Sequence, residues 1–477
     1  MTARSARLSP SAAALAESFA ALRAEIGVPD AYPPEAVGEA ERVVAASEAV
    51  DGSDAARVDL GDLPFHTIDP EGSRDLDQAM HLSRDGDGFV VRYAIADLAA
   101  FVAPGGALDR ETRERGQTLY APDGSTGLHP DPIAHDGASL LPDERRRAYV
   151  WRFALAADGR VAETALERAW VRSVRRWTYD EAQAAIDDGS APDEIALLAE
   201  IGPLRVGLEA ARGGASLSVP EEEVLEEDGR YVLRARISLD VEEWNAQVSL
   251  MTGMQAARLM LDAGVGILRT MPRPEDDAIA EFRRRARMLG RPWGEGVDYG
   301  AYLRGLDRAD PVTSAIMHAA TALFRGAGYA AFDGEPPEEI EQAAIGAPYA
   351  HATAPLRRLV DRYVLAICEA EANGRDVPGW ARDALEELPP IMQRTGTLAG
   401  RLENGCVDRV EAAVLSSRIG DAFDAVAVAR TGGGTRVQIA DPFVTATVPG
   451  SAELGTVIRV RVEKADIARG AIDLVRV

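Results

Sequence analysis

The pattern of hydrophobic and polar positions divides the chain into a helical start, a strand-rich stretch, a long helical centre and a strand-rich end. Leu15, Phe19, Leu22 and Ile26 recur at three- and four-residue spacing, which predicts an amphipathic helix near the amino terminus. Two prolines at 33–34 interrupt this pattern, and a second helix is predicted directly after them. The first part of the chain is therefore expected to be helical.

Residues 60–160 carry short runs of β-branched and aromatic residues, separated by Gly, Asp and Pro, which predict strands. Residues 175–215 and 240–375 are predicted to be largely helical, and a further long helix is predicted over 381–418. The remainder of the chain returns to strand patterns. Five short runs there, with a glycine-rich turn at Gly432–Gly434, are typical of a small five-stranded OB-type barrel.

Together these patterns predict an α+β fold in three parts. A short helical segment is expected over 1–51, a larger mixed domain over 52–418 and the small barrel over 419–477. The chain has 477 residues, of which 46% are hydrophobic and 27% are charged. This composition is that of an ordinary globular protein and excludes wholesale disorder.

Two features of the composition restrict where the protein works. No run approaches the ~18 consecutive apolar residues of a membrane span, which excludes a transmembrane protein, and the acid-containing amino terminus lacks the apolar core of a secretory signal. Only two cysteines occur, Cys368 and Cys406, so a disulfide scaffold and a cysteine-rich zinc module are excluded. We therefore expect a cytoplasmic protein without membrane contact, and we expect it to be a monomer.

The charge balance excludes one class of nucleic-acid protein and leaves another open. Lys and Arg total 52, Asp and Glu total 77, and the formal net charge is −25. A basic protein that coats nucleic acid is excluded, whereas a nucleic-acid enzyme needs only a local positive groove. Because Lys464 is the only lysine, phosphate contacts would be made mostly by bidentate guanidinium groups.

A cluster of acidic residues follows the first predicted strand of the larger domain. Asp69 ends that strand, and Asp75 and Asp77 follow after a turn that contains Pro and Gly. Residues two apart in an extended chain share one face, and the turn would bring the three carboxylates around one point. Hard oxygen ligands of this kind suit Mg²⁺, with Mn²⁺ as an alternative, and a cation would offset the repulsion between like charges. Taken alone, the same residues also fit a solvated acidic turn.

Four stretches at compatible spacing place this cluster in a wider pattern. They are, in order, DLGDLPFHTIDPEGSRDLDQA, YAIADLAAFVAPGGALDRETRERGQTLYAPDG, LHPDPIAHDGASLLPDERRRAYVWRFAL and IGAPYAHATAPLRRLVDRYV. Together they resemble the sequence blocks of the ribonuclease II/R (RNB) family of 3′-to-5′ exoribonucleases. The resemblance implies an RNB-like catalytic domain over 52–418 and an OB-fold RNA-binding domain over 419–477. The family often carries two amino-terminal cold-shock barrels, which a segment over 1–51 is too short to contain.

The resemblance also implies a metal site. The four metal-site aspartates of the family correspond to Asp69, Asp75, Asp77 and Gln78 of this chain. Gln78 departs from the family pattern, because an amide brings no negative charge, although its carbonyl oxygen could coordinate a metal or orient a water. The metal that the family uses is Mg²⁺.

Two further elements of the family pattern would contact RNA. The stretch APLRR resembles a loop that presents arginine to the phosphate nearest the scissile bond, with Arg357 as the implied contact and Arg358 as the second. A guanidinium forks onto two phosphate oxygens and stabilises charge that grows in the transition state. Tyr120 corresponds to a tyrosine against the 3′-terminal nucleotides, where a base can stack on the ring. His351, in the same stretch as the arginines, is expected to make a structural hydrogen bond.

The implied activity is Mg²⁺-dependent hydrolysis of single-stranded RNA from its 3′ end to nucleoside 5′-monophosphates, with Asp77 and Arg357 as catalytic residues. Two alternatives stay open. The first is an RNA-binding protein with a decayed RNB active site, which Gln78 and the altered helix at 246–253 favour, since that helix lacks the paired acids of the family. The second is an unrelated metal-dependent hydrolase that shares the aspartate cluster by chance.

Overall fold

Both helices and strands occur in the part of the chain that the structure describes. The computed structural model describes residues 6–7, 12–48, 57–214, 221–227, 230–236, 238–307, 311–320, 323, 326–440 and 442–477. The helices are α1 (Ala12–Ile26), α2 (Pro34–Glu48), α3 (Ala107–Arg115), α4 (Tyr179–Asp187), α5 (Asp193–Ala196), α6 (Leu198–Ala211), α7 (Asp240–Ala263), α8 (Asp276–Met288), α9 (Tyr299–Arg304), α10 (Pro311–Ala320), α11 (Leu359–Ala372), α12 (Gly379–Asp383) and α13 (Leu388–Ser416). The strands are β1 (Ala6–Arg7), β2 (Val58–Asp59), β3 (Phe65–Ile68), β4 (Gln78–Asp85), β5 (Gly88–Ala96), β6 (Leu119–Ala121), β7 (Gly124–Thr126), β8 (Arg145–Leu155), β9 (Val161–Trp177), β10 (Glu221–Glu227), β11 (Arg230–Arg236), β12 (Val265–Thr270), β13 (Gly328–Asp333), β14 (Glu341–Gln342), β15 (Ala347–Pro348), β16 (Ala422–Thr431), β17 (Gly434–Ala440), β18 (Phe443–Val448), β19 (Val457–Asp466) and β20 (Ala471–Arg476).

The centre of the larger domain is a sheet that closes on itself. Its strand order is β2-β9-β3-β4-β5-β8, and β8 also pairs with β9. Closure is possible because β9 is 17 residues long, so that its first part pairs antiparallel with β8 while its last part pairs in parallel with β3. The sequence patterns predicted β3, β4, β5 and β8 but did not indicate β9.

Strand β5 shows that this sheet is buried on both faces. Tyr93 and Ile95 point into one hydrophobic core together with Val364 of α11, whereas Ala94 points into a second core that Val44 of α2 helps to cover. A strand that is apolar on both faces cannot slip by one residue without moving its large side chains into the smaller core. The sheet therefore gives a fixed base to the loops at the ends of β3 and β4.

The two amino-terminal helices pack against different hydrophobic cores: α2 covers one face of the central sheet, and α1 packs against the carboxy-terminal part of the chain. Helix α1 contains the residues whose spacing predicted an amphipathic helix, and its apolar residues Leu15, Phe19 and Leu22 share a hydrophobic core with α13 and the carboxy-terminal barrel. Ser18 Oγ of the same helix donates a hydrogen bond of 3.0 Å to the carbonyl oxygen of Ile467 in the barrel. The first and last parts of the chain therefore meet in one core.

The carboxy-terminal strands form the small antiparallel barrel that the sequence predicted. The strand order is β18-β17-β16-β19-β20, which is that of a nearly closed five-stranded OB-like barrel. Its inner face consists of buried aliphatic residues, among them Ala425, Val437, Val444 and Val460. With helices first, a mixed domain in the middle and this barrel last, the predicted α+β fold class is confirmed.

The stretch over 240–375, predicted to be largely helical, contains α7, α8, α9, α10 and α11 but also the strand pairs β12–β13 and β14–β15. Strands β12 and β13 pair antiparallel although α8, α9 and α10 lie between them in the sequence. Phe282, Leu303 and Ile316 give these three helices a small core of their own. None of the helices that the structure describes combines the length and the apolar composition that crossing a bilayer requires.

Candidate active site

Asp69 lies at the end of β3, where the closed sheet holds its backbone. Its N–H donates a hydrogen bond of 3.0 Å to the carbonyl oxygen of Trp177 in β9. Its carboxylate atom Oδ2 is buried and has no hydrogen-bond partner among the described residues. Burial raises the pKa of Asp69 to about 7, and the nearby charge of Asp75 acts in the same direction. The site thus contains a buried carboxylate oxygen with unused acceptor capacity.

Asp77 faces the loop of residues 353–358, which we call the arginine loop. Its Oδ1 accepts a hydrogen bond of 2.7 Å from the backbone N–H of Leu356, and its Oδ2 lies 3.5 Å from Arg357 Nε. The side chain is almost fully buried. Burial raises the pKa of Asp77 to about 8, and the Arg357 charge opposes this shift. Both oxygens of Asp77 are therefore directed at the arginine loop.

The arginine loop is itself anchored by Asp361 at the start of α11. Asp361 Oδ1 accepts 2.8 Å hydrogen bonds from the backbone N–H groups of Thr353 and Ala354. The Arg358 guanidinium donates to both Asp361 oxygens at 2.9 Å. Burial alone would lower the pKa of Arg358, but the charge and hydrogen bonds of Asp361 raise it. Arg358 is thus a structural partner of Asp361 in this structure, while Arg357 is about half exposed.

Tyr120 is carried by the short hairpin of β6 and β7, which we call the Tyr120 hairpin. Its side chain is 54% exposed, and its hydroxyl donates a long hydrogen bond of 3.4 Å to Asp75 Oδ2. The backbone before the hairpin joins the arginine loop, because the N–H of Thr118 donates to the carbonyl oxygen of Arg357 at 3.0 Å. The structure therefore brings the predicted residues Asp75, Asp77, Tyr120 and Arg357 into one region.

Gln78, the departure from the family pattern, uses both ends of its amide within the protein. Its Nε2 donates a hydrogen bond of 2.6 Å to the carbonyl oxygen of Thr353 in the arginine loop. Its Oε1 accepts a hydrogen bond of 2.6 Å from the hydroxyl of Tyr93, which lies 2.8 Å from Ser249 Oγ. The side chain therefore links β4 to the arginine loop and, through Tyr93, to α7.

The residues present fit a hard divalent ion only in part. Within the described part of the chain, no three His, Cys, Asp or Glu side chains form a ready metal-binding group. The unpartnered Asp69 Oδ2 and the neighbouring Asp75 carboxylate are nevertheless suitable donors for Mg²⁺, which binds to proteins through one or two carboxylates and keeps its other positions for water and phosphate. The predicted ligand roles of Asp77 and Gln78 stay predictions.

Two residues that support the site were not found from the sequence. Asp361 stands three residues after Arg358, a spacing that places side chains together on a helix and could have indicated the pair. Gly253 of α7 packs against the segment before the arginine loop, where an added Cβ would come within 2.1 Å of the Tyr349 ring. His351 lies 2.7 Å, through Nδ1, from the Tyr329 hydroxyl, which is the structural hydrogen bond expected for it.

Comparison with known protein families identifies the class of this fold and site. A family model described as the RNB domain matches residues 57–372, and a model described as the RNase II-type exonuclease C-terminal S1 domain matches residues 421–477. Because the first match covers more than half of the chain, the protein belongs to the RNB family. The resemblance seen in the sequence is therefore confirmed.

Individual relatives agree with this assignment. Ribonuclease R of Escherichia coli (strain K12) is 27% identical over 428 residues, which cover 84% of this chain and 52% of the relative. The chain thus spans about half the length of the curated relatives it matches. The solved structure of apo Mycoplasma genitalium RNase R has a TM-score of 0.86 at 18% identity and covers 97% of this chain and 78% of that one.

Two other solved structures bear on function. The Mycoplasma genitalium RNase R in complex with ribose methylated single-stranded RNA has a TM-score of 0.84 at 18% identity, with the same coverage of 97% and 78%. Yeast Ssd1, which is described as a pseudonuclease, has a TM-score of 0.68 at 16% identity and covers 83% of this chain and 50% of that one. At these identities the likeness shows the shared fold alone.

Proposed function

We propose that the protein is a Mg²⁺-dependent exoribonuclease that hydrolyses single-stranded RNA from its 3′ end to nucleoside 5′-monophosphates. The observation that carries this proposal is the convergence of three kinds of group at one place. Asp69 and Asp75 offer carboxylate oxygens, Arg357 offers a half-exposed guanidinium, and Tyr120 offers an exposed aromatic ring. Phosphodiester hydrolysis needs the first two kinds of group, and holding a terminal base needs the third.

The metal would be held by Asp69 and Asp75. Asp69 Oδ2 is the donor that the fold leaves without a partner, and a bound cation would offset the cost of burying that charge. When bound, Mg²⁺ would supply an activated water and polarise the scissile phosphate. Asp77, whose oxygens face Leu356 and Arg357, would act through the arginine loop in addition to any contact with the ion.

Arg357 would stabilise the negative charge that grows on the phosphate. Its guanidinium is about half exposed, so it can fork onto phosphate oxygens, while Asp77 lies 3.5 Å from its Nε and limits its orientations. Holding this group in place before the reaction avoids the reorganisation that a mobile side chain would require. Arg358 would keep the loop in shape through Asp361 and would face the substrate only secondarily.

Tyr120 would position the 3′-terminal nucleotide. Stacking on a tyrosine ring is tolerant of base identity, which fits an enzyme that removes every nucleotide in turn. The hydrogen bond from its hydroxyl to Asp75 would keep the ring beside the carboxylates. Similarity to a protein solved with single-stranded RNA supports RNA as the substrate.

A second candidate function is RNA binding without hydrolysis. Gln78 uses both ends of its amide inside the protein, so the fourth family position adds no charge to the metal site. A described pseudonuclease also shares the fold. Against this candidate stand the unpartnered oxygen of Asp69 and the exposed guanidinium of Arg357, which a protein that only binds RNA would not need in this arrangement.

Incubation of 5′-labelled single-stranded RNA with Mg²⁺ or with EDTA separates these functions. A ladder that shortens from the 3′ end with Mg²⁺ and disappears with EDTA is expected, and an Asp69→Asn variant should bind the RNA but leave it intact. Binding without shortening in both conditions would favour the second candidate. RNA with a blocked 3′ end serves as the control, because it should resist an exonuclease but not a contaminating endonuclease.

A further inference from the structure

We propose that Gln78 is a positioning residue that ties the arginine loop to the central sheet, and that it is not a metal ligand. Only the kinetic test of this inference rests on the proposed exoribonuclease function. Its structural basis is a chain of hydrogen bonds that connects α7, β5, β4 and the arginine loop in the larger domain.

The direction of the hydrogen bonds is the same along this chain. The Tyr93 hydroxyl proton is given to Gln78 Oε1, so Ser249 Oγ, 2.8 Å away, donates to the Tyr93 oxygen. Gln78 Nε2 then donates to the carbonyl oxygen of Thr353. Each group accepts from one neighbour and donates to the next, which is the arrangement in which polar groups in a low-dielectric interior strengthen one another.

An amide side chain completes this chain at position 78 at any pH, and an ionised carboxylate does not. A carboxylate can accept from Tyr93, but it has no proton to donate to Thr353 when it is ionised. It would also set a negative charge against the carbonyl oxygen of a residue that is 3% exposed, where the loss of a hydrogen-bond donor is costly. The hydrogen bonds that connect Tyr93 to the arginine loop therefore explain why position 78 is a glutamine, and this explanation needs no bound metal.

Gln78 and Asp361 hold opposite sides of the same residue. Asp361 accepts a hydrogen bond from the backbone N–H of Thr353, and Gln78 donates a hydrogen bond to the backbone carbonyl oxygen of Thr353. Asp77 holds the loop further along, at the N–H of Leu356. Loss of Gln78 would leave the loop attached through Asp361, Asp77 and the N–H of Thr118, but it would release the carbonyl oxygen of Thr353. That end of the loop could then shift and move Arg357 relative to the phosphate. A displacement of about 1 Å at a positioned group can cost up to ~100-fold in rate.

The test compares Gln78→Leu and Gln78→Glu with wild type. A matched control is Gln183→Leu in α4, because Gln183 also uses both amide ends, donating to Asp187 and accepting from the N–H of Val241. Gln183 is far from the aspartates in sequence. We measure kcat, KM for RNA, the Mg²⁺ concentration for half-maximal rate, and hydrogen exchange of the peptide over 349–358 in EDTA.

If Gln78 positions the loop, both substitutions at 78 lower kcat about tenfold or more, leave the half-maximal Mg²⁺ concentration unchanged, and speed exchange over 349–358. Tyr93→Phe should lower kcat and speed exchange over 349–358 to a smaller extent, since Gln78 keeps its hydrogen bond to Thr353. The control should match wild type. A Gln78→Glu protein with equal or higher kcat and a lower Mg²⁺ requirement would overturn the inference, as would unchanged exchange in both variants.

The exchange measurement keeps the inference separate from the proposed function. If wild type does not cleave RNA, the proposed function fails, while faster exchange in Gln78→Leu would still show that this residue holds the arginine loop.

Discussion

The arginine loop and the Tyr120 hairpin face the same site but are built differently. In the arginine loop, Thr353, Ala354 and Leu356 are buried, and their backbone groups are bonded to Asp361, Gln78 and Asp77. The hairpin consists of two three-residue strands that pair with each other, and its key side chain is exposed.

The hairpin is attached to α1 at its turn and to a hydrophobic core at its base. Arg23 of α1 donates two 2.7 Å hydrogen bonds to the Asp123 carboxylate at the turn, and Leu119 is buried at the base. A cavity of about 590 Å³ lies between the hairpin and α1. On the proposed function this difference between the two elements is expected, because charge stabilisation requires a fixed donor, whereas stacking on a base tolerates small shifts of the ring.

The largest effect is expected from removing the anchor of the arginine loop. Asp361→Ala leaves the Arg358 guanidinium buried without its partner, which should lower the free energy of unfolding by about 3–5 kcal/mol. The comparable substitution at the hairpin, Asp123→Ala, breaks a partly exposed pair and should cost about 1 kcal/mol or less. Urea denaturation of both variants measures the contrast, and equal losses would contradict it.

Removal of the phosphate contact should be the next largest effect. Arg357→Ala is expected to lower kcat by about 10²- to 10³-fold with little change in stability, because the loop stays attached through Arg358 and Asp361. Arg357→Lys should recover part of the rate, since it keeps the charge but loses the fork. Steady-state kinetics distinguish a role of Arg357 in the reaction from a role in binding. A change confined to KM would show that Arg357 binds RNA without acting in the reaction.

Asp77→Asn should separate the charge of this residue from its hydrogen bond. The amide oxygen still accepts from the N–H of Leu356, but the negative charge beside Arg357 is lost, and we expect kcat to fall by about tenfold to a hundredfold. The melting temperature should stay the same or rise, because a buried carboxylate is replaced by a neutral group of the same size. RNA binding should be retained, and wild-type cleavage at limiting Mg²⁺ would refute the role given to Asp77.

Tyr120 should affect binding more than rate. Stacking of one base is worth about 1–3 kcal/mol, so Tyr120→Ala should weaken RNA binding by roughly fivefold to a hundredfold. Tyr120→Phe keeps the ring and loses only the 3.4 Å hydrogen bond to Asp75, and it should remain close to wild type. Equal defects in the two variants would place the function in the hydroxyl instead of the ring.

The smallest effect is expected at the support of the hairpin. Arg23→Ala removes the ion pair with Asp123 and should weaken RNA binding about two- to fivefold, in line with the modest energy of a partly exposed pair. Reversing the pair, with Arg23→Asp and Asp123→Arg together, should restore part of the loss. If the double variant binds no better than either single variant, the pair does not position Tyr120.

The fold could be predicted where the signal is local. The periodicity of α1 and the short strands of the barrel lie within single segments, and both were predicted. Strand β9 was not, because Val161–Trp177 has charged residues along its exposed parts and its partners β8 and β3 reach it through a closed sheet. The pairing of β12 with β13 could not be predicted either, since α8, α9 and α10 separate the two strands in the sequence.

The candidate site shows the same limit. Asp69, Asp75 and Asp77 lie close in sequence, and Arg357 and Tyr120 belong to recognisable stretches, so the residue types could be found. The hydrogen-bond partner of each side-chain atom could not be predicted from the sequence. The hydrogen bond from Gln78 to Thr353 joins residues 275 positions apart, and no local pattern distinguishes an amide that binds a metal from one that holds a loop.

The core that α1 shares with the barrel also contains Leu119, at the base of the Tyr120 hairpin. The barrel and the base of the Tyr120 hairpin therefore belong to one packed core, which restrains the distance between them. An RNA strand that the barrel and Tyr120 hold together would be released once it is too short to reach both. On the proposed function, degradation should then stop at one product length instead of a range of lengths.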